Sequence, residues 1–501
     1  MERGSNTARL LGVLALTVGA LLLRLDTEPR VAFHSDEYLT MYRSLLISQG
    51  DLFLQSDPSQ KPPLFYLVNA ALFKLFGPNH EIPQVISIAA SVAAVPLTAA
   101  LVTALGGGVL ATLLGAALVA LSPFQIAFSS TAFLDPTMIS LGVGGVLLFV
   151  RRRFFSAGVL LGLAFSIKQQ AALFFPACLF LLPLRAIARR ELLAGAGGLA
   201  IVILALLGWS AVSGGVEWPH FVSGQISNEQ AQIGEALLIN PFTEGIGAWI
   251  SRLVDWSRFI VLFFGPFTVP ALCLAAVAAF LRGDSARYQL TRLLLLCLTF
   301  LLFLVVVRFR IVDRYVLILL PFLAVVISLG IEGLSLPFVR RRVVPALLAA
   351  LLVGSCAVGL GQLGSSFMVV PESEGARPRL IGQYTEGSPI TFRAADAIRG
   401  ELVPSSQILV HPALFAAAVV EFSDAATVRN TEWSLRLPNS SSPFPVFLIW
   451  DGKDTKRFAR FTDQLQRAGF SVERRHPLDG LPPLTASTSE QRLQFFALHA
   501  R

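Results

Sequence analysis

The chain has 501 residues, of which 54% are hydrophobic and only 14% charged, and its mean hydropathy is +0.66. Such a composition excludes a soluble globular domain and implies a polytopic α-helical membrane protein. The net charge of +8 does not point to nucleic acid, because the Arg residues sit in short runs between apolar spans, the orientation pattern of a membrane protein.

A bilayer-crossing helix needs about 20 mostly apolar residues. Arg3 and Arg9 precede the first such stretch, Leu10–Leu25. No small-residue cleavage site follows it, so it is expected to stay as a signal anchor. The next segment, residues 26–81, is polar and is expected to be the catalytic loop. Within it Leu39, Tyr42, Leu45 and Leu46 fall at helical spacing, which predicts an amphipathic helix over Asp36–Ser48 lying on the membrane surface. Asp36, Thr40 and Arg43 share the opposite face. Asp36 and Glu37 also suit the first turn of a helix on electrostatic grounds alone. Lys61 follows in Gln60-Lys61-Pro62-Pro63, where two prolines stiffen the backbone ahead of a helix over Leu64–Phe76.

Further spans are expected at Ile82–Leu105, Val109–Pro123, Pro136–Val150, Phe154–Ile167, Ala171–Leu184, Leu192–Val212, Phe259–Leu281, Leu293–Val307, Tyr315–Ile331 and Val343–Gly361. With the first, that makes about eleven transmembrane helices. Gly106-Gly107-Gly108 supplies a tight turn between two of them. Arg151–Arg153, then Arg185, Arg189 and Arg190, then Arg282, Arg287 and Arg292, then Arg340–Arg342 fall in alternate loops. The positive-inside rule puts those loops and the N-terminus in the cytoplasm. The loop over 26–81, the loop Ser213–Arg258, the loop Arg308–Arg314 and the C-terminal tail are then extracytoplasmic. The four cysteines, Cys178, Cys273, Cys297 and Cys356, lie inside apolar spans without metal-like spacing.

Residues 1–361 thus form the membrane domain and residues 362–501 a small extracytoplasmic α/β domain. The tail has strand-like runs at Gln407–Val410 and Pro445–Trp450, helix-like stretches at Phe392–Leu402 and Lys456–Ala468, and turn-rich sequence at Leu437–Pro445. It carries no nucleophile elbow, phosphate loop or zinc spacing.

Several polar residues outside the first loop are candidates for chemistry. Asp135 precedes Pro136, the pattern of a helix N-cap with proline at the first helical position. That role is compatible with a place in an active site on the same side as Asp36. Lys168 stands at the outer end of a span, where a lysine either snorkels or binds a lipid phosphate. Arg308, Arg310 and Arg314, with Asp313, break the positive-inside trend, which an anionic ligand would explain. His34 and His220, with Asp36 or Asp135, are the residue types of a divalent-metal site, but they are scattered through the sequence, and surface or interface positions account for them equally.

An acid, several cations and a membrane-level loop suit transfer of a group from a lipid phosphate. A carboxylate takes the proton of the attacking hydroxyl or amine, and cations stabilise the charge growing on the departing phosphate. The order Asp36-Glu37, Lys61-Pro62-Pro63, Leu134-Asp135-Pro136, Gly162-Leu163-Ala164-Phe165-Ser166-Ile167-Lys168 and Arg314-Tyr315 resembles the C-type membrane glycosyltransferases. Among these it is most similar to the protein O-mannosyltransferases and the aminoarabinose transferases of lipid A, over roughly Leu10–Gly361. The resemblance implies a polyprenyl-phosphate sugar donor, inversion at the sugar carbon, an extracytoplasmic acceptor and Asp36 as general base. It implies that Lys61 and Lys168 face the donor phosphate and that Asp135 is a second acid near the acceptor. Glu37 joins the catalytic candidates, and Arg43, Arg308, Arg310 and Arg314 the phosphate-binding ones. The aminoarabinose enzymes have a metal-binding Glu before the Lys-Pro pair. Here that position is Gln60, a poor ligand, which argues against a divalent metal and against lipid A as acceptor. A transporter or lipid-linked sugar flippase is the main rival, and a non-catalytic scaffold the next. Transporters place polar residues at mid-membrane and repeat their halves, and neither feature is visible here.

Overall fold

The computed structural model describes residues 2–25, 35–57, 59–79, 81–129, 131–182, 187–213, 245–261, 263–281, 284–306, 313–334, 343–366, 399–403, 406–410, 415–422, 426–430, 445–451, 455–477 and 493–500. The chain divides into two compact units. One comprises Met1–Glu28 and Leu46–Leu363, the other Pro29–Leu45 and Gly364–Arg501.

The helices before the tail are α1 (Glu2–Leu25), α2 (Ser35–Ser48), α3 (Leu64–Phe76), α4 (Glu81–Ala104), α5 (Val109–Leu121), α6 (Pro123–Ser129), α7 (Asp135–Val150), α8 (Phe154–Ile167), α9 (Phe174–Leu181), α10 (Arg189–Val212), α11 (Ile246–Val261), α12 (Thr268–Leu281), α13 (Asp284–Val306), α14 (Leu320–Gly333) and α15 (Val343–Ser366). Short 3-10 turns, Gln169–Leu173 and Asp313–Leu319, precede α9 and α14.

Five stretches among the described residues are long and apolar enough to cross a membrane alone: Asn6–Leu25, Glu81–Ala104, Arg189–Val212, Arg314–Gly333 and Val343–Leu360. The pair α5 and α6 makes a sixth if its 51° bend lies within one span. Shorter apolar helices occupy the remaining positions where spans were expected. Length therefore assigns five or six full crossings among the described residues, and the rest are broken or shortened.

The breaks have local causes. Pro123 has no N–H to return to the helix, so α5 ends and α6 starts in a new direction. The span expected over Phe259–Leu281 is interrupted. Gly265 is left-handed (φ +80°) and Pro266 follows, so the chain leaves the helix after Val261 and re-enters at Thr268. Thr268 Oγ1 accepts from the Phe264 amide (3.1 Å) and donates to the Gly265 carbonyl (2.7 Å). A Cβ at Gly265 would run into the Ser355 carbonyl. Helix α11 lies in what the sequence pattern had left as loop.

Two junctions fix the bundle. At the triple-glycine turn, Gly106 is left-handed (φ +86°). The new helix start at α5 is met by Glu332, whose carboxylate accepts from the Gly108 amide (2.8 Å) and the Ala111 amide (3.2 Å). This satisfies N–H groups that have no partner within the helix, at its positive end. Helices α8 and α10 meet through Gly158, Gly162 and Gly198, close enough that a Cβ at Gly158 or Gly198 would overlap the facing backbone. Small-residue seams of this kind hold helices together in lipid, where apolar burial drives little association.

Helix α2 forms where the periodicity predicts it. It does not lie on a surface with one face in water, however. Glu37, Tyr38, Thr40, Met41, Tyr42, Arg43, Ser44 and Leu45 are all buried, so both faces are covered. Amphipathic spacing marks the apolar face but says nothing of what covers the polar one.

The tail carries a five-stranded sheet of β1 (Ser406–Val410), β2 (Ala426–Asn430), β3 (Val446–Asp451), β4 (Phe470–Pro477) and β5 (Leu493–Ala500), in the order β2-β1-β3-β5-β4. The β1–β2 and β1–β3 pairs are parallel, and the β3–β5 and β4–β5 pairs antiparallel. Two tail helices are described, α16 (Phe415–Phe422) and α17 (Thr455–Arg467). Phe461 and Leu465 of α17 pack on Leu409, Leu448, Trp450 and Phe496. This is the α/β unit expected, with β2, β4, β5 and α16 added. The expected helix Phe392–Leu402 lies mostly outside the described residues, as do the turns of Leu437–Pro445.

Candidate active site

The site in the membrane unit is built where two helices end. Helix α8 stops at Ile167 because Lys168 is extended (φ −156°, ψ 135°), which turns its side chain away from the helix axis. Helix α7 starts at Asp135, with Pro136 in its first turn. Leu134 holds the N-cap position and makes no side-chain cap bond. The N-cap expected of Asp135 is therefore not made. Its carboxylate instead accepts a hydrogen bond from Lys168 Nζ at 2.7 Å, in an ion pair whose side chains are 2% and 6% exposed. Lys168 does not snorkel to the surface.

Two aromatic rings flank these charges. Lys168 Nζ lies 5.2 Å from the Tyr315 ring centroid, and the Arg314 guanidinium lies 4.5 Å from that of Phe133. Both are cation–π distances, and such contacts are strongest away from water. Arg314 is buried and Lys61 half-buried. Lys168 sits in the break between two apolar helices. Burial pushes its ammonium down to about 8, the Asp135 carboxylate opposes that, and the positive charges of Arg314 and Lys61 add to it. Arg314 and Lys61 thus both act on the Lys168 that Asp135 holds.

Neutral hydrogen bonds hold the frame. Gln169 Nε2 donates to the Gln60 carbonyl (2.7 Å), tying the Lys61 loop to the residue after Lys168. The Lys61 amide donates to Ser59 Oγ (3.0 Å), which donates to Tyr66 Oη (3.2 Å). Ser87 Oγ on α4 donates to the Phe133 carbonyl (3.2 Å).

The structure thus brings together Asp135, Lys168, Arg314 and Lys61. Asp36, Glu37 and Arg43 belong to the other compact unit. There Asp36 and Glu37 occupy the first turn of α2, and the Asp36 carbonyl accepts from Thr40 Oγ1 (2.8 Å). Glu37 and Arg43 are buried and Asp36 is partly exposed. Arg308, Arg310, His34 and His220 lie outside the described residues. Among the described residues no three His, Cys, Asp or Glu side chains gather to hold a metal.

Sequence reasoning quoted Tyr315 only within the Arg314-Tyr315 motif, without a role, and missed Phe133, Gln169 and Ser59. The first carried a signal: Tyr315 adjoins Arg314 in a polar break ahead of an apolar run. The others are ordinary residues whose roles come only from tertiary placement.

The fold is that of a polytopic helical membrane protein with a buried ion pair where two helices end. Residues 62–308 of the chain match the model of glycosyltransferase family 87. Over 98% of its own length and 98% of the other chain it is similar to ArnT from Cupriavidus metallidurans in the apo state, with a TM-score of 0.62 at 12% identity. The same protein bound to undecaprenyl phosphate matches with a TM-score of 0.60 at 13% identity, again over 98% of each chain. At that identity the likeness is one of fold. No curated protein matches the chain.

Proposed function

We propose that the enzyme transfers a sugar from a polyprenyl-phosphate donor to an extracytoplasmic acceptor, with inversion at the sugar carbon. The observation that carries this is the buried Asp135–Lys168 pair, with the charges of Arg314 and Lys61 acting on it. Cations that converge on one region suit an anionic ligand, and a phosphate is the anion a lipid-linked donor brings. The ArnT structure with undecaprenyl phosphate supports this choice.

In the proposed reaction the acceptor oxygen or nitrogen attacks the anomeric carbon while the bond from that carbon to the phosphate oxygen breaks. The acceptor's proton goes to Asp36, and polyprenyl phosphate leaves. Lys168, Lys61 and Arg314 stabilise the charge that grows on the phosphate, with Arg43, Arg308 and Arg310 as further phosphate-binding candidates. Asp135 keeps Lys168 charged and oriented. Glu37 is the second carboxylate of the first turn of α2. A cell-envelope glycan, a lipid and a protein hydroxyl all fit as acceptor. The N-terminus is cytoplasmic and the tail extracytoplasmic, on the evidence of the Arg-rich loops. The carbohydrate and lipid profile of cells lacking the protein would name the acceptor.

Asp36→Asn is nearly isosteric and removes the base. General-base catalysis contributes about 10²–10⁴-fold, so transfer by the purified variant from a polyprenyl-phosphate sugar should fall by that much. Transfer at the unmodified rate would overturn the assignment of Asp36.

A further inference from the structure

A further buried cation lies in the membrane unit, inside an apolar helix. Arg24, near the end of α1, is fully buried. Its Nε donates to Ser91 Oγ (2.8 Å), its Nη1 to the carbonyls of Ala20 (3.0 Å) and Ala120 (3.0 Å), and its Nη2 to the carbonyl of Val119 (3.3 Å). Val119 is the residue four before Pro123, and a helical carbonyl is normally met by the N–H four residues on. Pro123 has none to offer. An unmet carbonyl in an apolar bundle is costly, and Arg24 supplies the missing donor at the point where α5 breaks into α6.

The network continues toward the charged cluster. Ser91 Oγ also accepts from Gln125 Nε2 of α6 (3.2 Å). Ser122, at the break, accepts at Oγ from the Gln125 amide (3.2 Å) and donates to the Phe263 carbonyl (2.7 Å). One turn along α4 from Ser91, Ser87 holds the Phe133 carbonyl. Phe133 lies against Arg314 and stands two residues before Asp135, the partner of Lys168. Helix α4 therefore holds α6 on both sides: Ser91, together with Arg24, meets Gln125 just past the break, and Ser87 holds the Phe133 carbonyl beyond its exit.

We infer that Arg24 is a positioning residue for donor binding. By closing the α5–α6 break it sets Phe133 and Asp135, and through them Arg314 and Lys168. This rests on the proposal that the cluster binds the donor phosphate.

The test is binding of undecaprenyl phosphate to full-length protein in phospholipid nanodiscs, counted only over the monodisperse, folded fraction. Small displacements of a positioned group cost about tenfold or more, so Arg24→Met should raise Kd about tenfold. Arg24→Lys, which keeps a charged donor for the same carbonyls, should recover most of that. Ser87→Ala, which cuts only the tie to Phe133, should weaken binding by a smaller factor. A residue with a merely structural role would lower the folded yield and leave the Kd of the folded fraction unchanged. Lys168→Ala is the control. If it weakens binding while folded Arg24→Met binds like the unmodified protein, the positioning role is wrong. If Lys168→Ala also binds normally, the phosphate site itself is wrong and the role of Arg24 falls with it. Should Arg24→Met fail to fold, unchanged Kd values in both Arg24→Lys and Ser87→Ala would overturn the inference.

Discussion

Arg24 and Lys168 are both buried cations in one apolar helical unit, yet their surroundings differ in kind. Arg24 donates to three backbone carbonyls and a serine hydroxyl. Its rigid fork of donors suits that task, and the groups it meets belong to a broken helix. Lys168 meets a carboxylate and an aromatic ring, with two further cations acting on it. Burial alone therefore does not mark a site. A cation held by backbone carbonyls mends a broken helix, whereas cations brought together beside a carboxylate suit an anionic ligand.

The largest effect that would sharpen this contrast comes from the ion pair. Asp135→Asn leaves Lys168 buried beside a neutral partner, and breaking such a pair costs about 3–5 kcal/mol. Thermal unfolding of the detergent-solubilised variant should show that loss. The double change Asp135→Leu with Lys168→Met replaces the pair by apolar groups and should recover much of the stability, without recovering transfer activity. Recovery of both would make the pair structural, like Arg24.

A smaller effect is expected at the ring. Tyr315→Leu removes the cation–π contact with Lys168, worth about 0.5–2 kcal/mol, while Tyr315→Phe keeps the ring face. Donor KM should rise several-fold in the first variant and stay near normal in the second. Equal effects in the two would assign the role to the hydroxyl instead.

How far these two regions could be read from sequence follows from their chemistry. Lys168, Asp135 and Arg314 stood out because charges are rare in apolar spans and theirs fall at helix ends. The Asp135-Pro136 pair pointed to a cap, and local sequence could not reveal that Lys168, 33 residues on, takes the carboxylate instead. Arg24 sits at the end of a leucine-rich span, where arginine looks like an interfacial anchor. Besides Ala20 of its own helix, the groups it meets come from α4 and α5, so only tertiary structure shows what it does. The same holds for α2, whose spacing located the helix but not the cover over its polar face. In the tail, β1, β3 and α17 have clear periodicity. Strands β4 and β5 have charged or mixed sequence, ERRH in the first, and are set by pairing across the sheet. The break at Gly265-Pro266 was legible, since both residues disfavour helix, but hydropathy averaging over a long window hides it.

The most direct test of the account is the affinity of the folded Lys168→Ala protein for undecaprenyl phosphate. A hydrogen bond to a charged group is worth about 1.5–3 kcal/mol, so Kd should rise about 10- to 100-fold relative to the unmodified protein. An unchanged Kd in a folded variant would contradict the claim that this buried cluster receives the donor phosphate.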